Sequence, residues 1–215
     1  MLQFEITKKH AGIRLWGDTW TLQRIHEVLH KVNEQSCVIE NKEGFFLGLA
    51  YDIRKAYEKQ REIDTIEIFD DKYQIYGVEI LWPVIVAQVG LLREAMGFIP
   101  TNRNDQIVAF ELENLIEGAA AKALPGRAEE IMSLMARVGG CQSHIDEVLD
   151  SRCRFFIDLP PSKRIKMLPS VLESFDPMFD HISRLRIRNS SPVQLSPEDF
   201  AKYQDVDTDW PDFQW

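Results

Sequence analysis

His26-Glu27-Val28-Leu29-His30 has the residue types and spacing of a zinc hydrolase centre. Two histidines four residues apart share a helix face and can converge on one ion, and the carboxylate between them can activate a metal-bound water. Such a centre needs a third protein ligand and a walled cleft. The helix that must carry the string argues against that use. Over residues 21–35, Leu22, Ile25, Leu29 and Val32 form an i, i+3, i+7, i+10 stripe that turns to the core. His26 then lies about 80° from the middle of the stripe, His30 about 120°, and Glu27 nearly opposite it. The expectation is two flank histidines and a solvent-facing acid.

The string resembles zinc-dependent metallopeptidases in those five residues alone. Where that family has uncharged neighbours, this chain has Arg24 and Lys31, cations that repel a zinc ion. His144 and His181 belong to no matching motif. Asp52 and Glu58, on the next predicted helix, have no spacing that singles them out. A zinc-dependent hydrolase using His26, Glu27 and His30 is therefore the alternative reading, and no metal, cofactor or catalytic residue is expected.

The C-terminal tail, residues 205–215, is the second patterned feature. Asp205, Asp207, Asp209 and Asp212 interleave with Trp210, Phe213 and Trp215, combining negative charge with the rings that dominate interface energetics. Trp210, Asp212, Phe213 and Trp215 are the expected partner-binding residues. Two arrangements are open. The tail docks on its own body, its acids meeting the basic segment 152–188, or it is free to bind another protein, its acids imitating phosphates to a cationic partner. That segment has eight Lys and Arg against four Asp and Glu, and is expected to be a solvated helical surface.

Composition narrows the class. The chain has 215 residues, 45% hydrophobic, with a net charge of −9, enough to bury a large core. Nucleic-acid binding is disfavoured, because phosphate contacts need a net positive face. Three cysteines, Cys37, Cys141 and Cys153, are odd in number and widely spaced, which fits a reducing compartment. Cys141 and His144 have C-x-x-H spacing but lack the ligands of a structural zinc site. The N terminus alternates like a strand and lacks the build of a secretory signal. The longest apolar stretch, residues 78–92, is too interrupted for a membrane span and reads as a strand end running into a core helix. A cytoplasmic location and no membrane partner follow.

The elements that must position these residues are legible in outline. Residues 2–16 alternate as one hairpin, and Thr65 to Phe69 with Tyr73 to Ile80, joined by Asp70-Asp71-Lys72, as a second. Asp18 or Thr19 caps the first helix, and a second runs from Phe46 to about Gln60. Pro83 opens a helix that is apolar nearly all round and belongs in the core. Further helices fall near 104–123, 127–138, 143–157 and 177–187, with Gly139-Gly140 a stop signal, while Pro160-Pro161 and Pro169 interrupt what lies between the last two. Ser196-Pro197-Glu198-Asp199 starts a short helix. The chain therefore reads as α+β: about four antiparallel strands in two hairpins, backed by helices, then a mainly helical half. No linker divides it, so a single domain is expected: hairpin-rich to about residue 100, helical from 101 to 204, then the tail.

Gly17-Asp18-Thr19-Trp20-Thr21-Leu22 and Leu47-Gly48-Leu49-Ala50-Tyr51-Asp52-Ile53-Arg54-Lys55-Ala56-Tyr57 resemble an uncharacterised family of bacterial proteins over roughly the first 100 residues. The resemblance implies a bacterial source and supplies no activity. No phosphate-binding, dinucleotide-binding or nucleophile-elbow motif occurs. The expected function is thus a non-enzymatic, cytoplasmic protein-binding or regulatory module of inhibitor or adaptor type, with its partner at the tail.

Overall fold

The computed structural model describes residues 1–140, 142–190, 194–204 and 210–215. Strands β1 (Leu2–Ile6) and β2 (Gly12–Gly17) pair antiparallel from Leu2 opposite Gly17 to Ile6 opposite Ile13. Helix α1 (Thr19–Gln35) starts from Asp18, whose carboxylate accepts the Thr21 N–H at 2.9 Å. Its buried side holds Leu22, Ile25, Leu29 and Val32, the stripe the periodicity demands, together with Thr21, Val28 and Asn33. Helix α2 (Phe45–Tyr57) buries Phe46, Leu49, Ala50, Ile53 and Ala56. It stops before Gln60, with Lys59 in the left-handed region at φ 64°.

Strands β3 (Glu62–Ile68) and β4 (Asp71–Leu81) form the second hairpin. Its turn is Phe69-Asp70 rather than Asp70 to Lys72, because Ile68 and Asp71 still pair across the ladder. Strand order is β1-β2-β4-β3, so the hairpins join through the antiparallel pair β2 and β4. β4 runs straight into α3 (Trp82–Met96), with Pro83 in its first turn.

Helix α3 is buried on most sides and organises the helical half. It packs on α2 and on α4 (Arg103–Ala123), α5 (Ala128–Gly139), α6 (Gln142–Asp158) and α7 (Pro161–Glu173). Gly90 and Gly139 meet at the α3 and α5 crossing: a Cβ on Gly90 would lie 2.3 Å from the Met135 carbonyl oxygen, and one on Gly139 would lie 2.3 Å from that of Gly90. Only glycine allows the two backbones this approach.

Residues 161–173 correct the sequence expectation. They form a helix despite two prolines: Pro161 takes the first turn, where its missing N–H is not needed, and Pro169 lies inside. Leu168, Pro169, Val171 and Leu172 are all buried, and that burial outweighs the lost hydrogen bond. Helix α8 (Phe179–Arg188), the short α9 (Pro197–Phe200) with its Ser196 and Asp199 capping box, and a 3-10 turn at Ala201–Tyr203 complete the described elements. One cluster of buried residues spans both halves, from Ile13 and Trp82 to Phe156, Phe175 and Phe200. Among the described residues, no helix is long and apolar enough to cross a membrane.

Candidate functional site

The His26 and His30 rings lie one turn apart on α1 with centroids 4.4 Å from each other, and Tyr57 of α2 packs edge-on to His26 at 5.8 Å. Both histidines are half-buried and Glu27 is exposed. Partial burial, then the neighbouring charges of His30 and Arg54, hold the His26 imidazole below its ordinary pKa. The cations beside the string are engaged elsewhere: Arg24 pairs with Glu111, and Lys31 with Asp105 at 2.6 Å, tying α1 to α4. Asp52 pairs with Arg61 at 2.9 Å. Among the described residues, no group of three or more His, Cys, Asp or Glu could hold a metal ion. The string's two imidazoles and its acid thus have no third ligand beside them among the described residues.

The tail folds back on the body. The Lys9 N–H donates to the Trp215 carbonyl at 3.2 Å, and the Arg164 guanidinium reaches the Gln214 carbonyl at 3.4 Å. Phe213 and Trp215 pack edge to face, centroids 5.2 Å apart, and rest half-buried against the core. Trp210 keeps 42% of its surface exposed, with the Arg154 guanidinium 5.7 Å from its ring centroid. Asp212 is exposed. Asp205, Asp207 and Asp209 lie outside the described residues, as does Cys141.

These three rings form one wall of an open groove of about 550 Å³, a size typical of ligand sites. Val78, Ile80 and Leu81 of β4 and Val84 of α3 supply its apolar lining; Asp52, Arg61, Glu62 and Glu79 supply the charge. Glu79 pairs with Arg14 across the β2 and β4 ladder. Sequence reading found the aromatic wall but missed the acids, because the groove is assembled from α2, the start of β3, the end of β4 and the tail. No local spacing links those segments.

The basic segment also departs from the expected solvated surface. Lys163, Lys166, Arg184, Arg186 and Arg188 are exposed, but Arg152, Arg154 and Arg164 are each 4% exposed. Arg152 stacks on Phe200 at 4.1 Å and donates to Ser151 Oγ and the Ser174 carbonyl, and burial lowers its pKa to about 10 against the opposing charge of Asp180. Arg164 donates to four backbone carbonyls: Ile157 at 2.6 Å, Leu159 and Lys9 at 3.0 Å, and Gln214 at 3.4 Å. It hooks the end of α6, the first hairpin turn and the tail together. Cys153 is buried and its thiol is pushed up by desolvation; Cys37 is exposed.

The model of a domain of unknown function, DUF6904, matches residues 2–215. The chain belongs to that family. The match takes in the helical half and the tail groove as well as the first 100 residues. No curated protein and no solved structure matches the chain.

Proposed function

We propose that this DUF6904 chain is a bacterial, cytoplasmic, non-enzymatic binding or regulatory module, built as one α+β unit and recognising a protein partner through Trp210, Asp212, Phe213 and Trp215. The observation that carries this reading is how the tail sits. Its backbone is hooked at Lys9 and Arg164, while Trp210 and Asp212 stay at the surface and the other two rings stay half-buried on a groove wall. Aromatic surface left accessible beside an acid, on a backbone held in place, supports contact with another protein.

Magnitudes support a loosely held tail, which a partner contacting its docked rings can steady. Half-burial of Phe213 and Trp215 removes roughly 200 Å² from water, worth about 5 kcal/mol. Two hydrogen bonds add about 2 kcal/mol. Ordering the six residues 210–215 costs roughly 6 to 12 kcal/mol in backbone freedom. Docked and released states therefore lie within a few kcal/mol of each other, a gap that a partner can close.

The test is removal of residues 205–215. The truncated protein should lose a partner that the full chain captures, with binding then measured on the purified pair, while its melting temperature falls by only a few degrees. Retained capture with a lowered melting temperature would make the tail an internal clasp and end this reading.

A further inference from the structure

Backbone direction and charge at the groove determine what kind of segment fits it, an inference that rests on reading the tail groove as a binding site. The Trp82 N–H donates to the Ala11 carbonyl at 3.1 Å. In an antiparallel ladder such bonds recur at every second residue. Val78 and Ile80 therefore turn their backbone groups toward β2, whereas Gly77, Glu79 and Leu81 turn theirs to the other side. There β3 pairs only as far as Glu62 opposite Gly77. Beyond it, Glu79 and Leu81 face the groove with no strand opposite among the described residues, an open edge of the kind that takes an added strand.

The lining adds a charge preference. Three carboxylates, Asp52, Glu62 and Glu79, stand against one lining cation, Arg61. Asp52 and Glu79 are in ion pairs, and Glu62 forms none among the described residues. The tail lines the same groove with aromatic rings, and Trp210 already holds the Arg154 guanidinium near its ring.

We propose that the groove takes an extended lysine- or arginine-bearing segment of the protein partner, which adds to β4 as a short strand past the end of β3. Its backbone pairs with both backbone groups of Glu79 and with the N–H of Leu81, whose carbonyl caps the start of α3. Its cations, projecting on one face, meet Glu62 and the tail rings.

The experiment is fluorescence anisotropy on the full chain with a dansyl-labelled heptapeptide alternating lysine and valine. The glutamate and valine counterpart should not bind. Of two forms of the basic peptide, N-methylated on the lysines or on the valines, one should lose binding, because only one alternate set of N–H groups faces β4. Glu62→Lys should weaken binding about tenfold and Trp210→Ala about threefold to tenfold, and raising the salt concentration should weaken it further.

Equal binding of the acidic peptide, undiminished binding of both methylated forms, displacement by spermidine as effectively as by unlabelled peptide, or no binding of any peptide would each overturn the proposal. If no peptide binds yet truncation still abolishes partner capture, the tail reading stands and this partner chemistry alone fails. If the truncated chain keeps its partner, the tail reading fails whatever the peptides do.

Discussion

Replacing Arg164 by methionine tests how the tail is held, since it keeps an apolar stem of comparable reach and deletes the guanidinium. Four carbonyls lose a charged donor. Ile157 and Leu159 lie at the C-terminal end of α6, where a cation also offsets the helix dipole. Hydrogen bonds to charged groups contribute about 1.5 to 3 kcal/mol each. Arg164 is itself buried deeply enough for its pKa to fall, so part of that gain offsets desolvation. The net loss should be about 3 to 5 kcal/mol, read by urea unfolding as a lower midpoint at unchanged slope. The Gln214 bond, the longest of the four at 3.4 Å, accounts for at most about 1 kcal/mol of it. A double-mutant cycle pairing Arg164→Met with removal of residues 210–215 should therefore show a coupling of about 0.5 to 1 kcal/mol. A variant within 1 kcal/mol of the parent, or a coupling as large as the whole effect, would refute the reasoning: either the hook contributes nothing or it serves the tail alone.

Other predictions follow from the same contacts. Gly90→Ala and Gly139→Ala should each destabilise by about 1 to 3 kcal/mol in urea unfolding, because overpacking at the crossing outweighs a helix-propensity gain of about 1 kcal/mol; a stabilised variant would show that the helices are not in that close contact. The Asp18 carboxylate is held down at about 2 despite some desolvation, by its bonds to the Met1 ammonium and to Thr21. A depressed acid stabilises the fold above its unfolded pKa, near 3.9, and loses that contribution as pH falls toward 2. The gap in melting temperature between the parent and Asp18→Asn should therefore shrink across that window, and a constant gap would count against the cap. For His26 the folded pKa lies below 6.5, so stability should decline as pH drops through 6.5; His26→Gln should flatten the decline, measured as melting temperature against pH. Elemental analysis of the purified protein should find zinc below one equivalent and unchanged in the His26→Ala, His30→Ala double variant. Stoichiometric zinc lost in that variant would restore the hydrolase reading.

Local periodicity was enough to read most elements, because side-chain pattern and backbone period act within one segment. The α1 stripe, the Asp18 cap, both hairpins and the helix after Pro83 all emerge that way. It failed where distant packing overrides a local rule. Pro169 sits inside α7 because the buried residues around it outweigh its missing N–H. Arg152, Arg154 and Arg164 read as surface cations, yet Phe200, Trp210 and backbone carbonyls from other segments enclose them.

The candidate site divides along the same line. The aromatic and acidic composition of the tail is a property of consecutive residues, so Trp210, Asp212, Phe213 and Trp215 stand out in the sequence alone. Only the folded chain brings Asp52, Glu62 and Glu79 into one groove with those rings, since strand order β1-β2-β4-β3 and the early end of β3 leave that edge of β4 open among the described residues. Which strands neighbour each other, and where one stops short, depends on contacts between residues far apart in the chain, and no single segment encodes it.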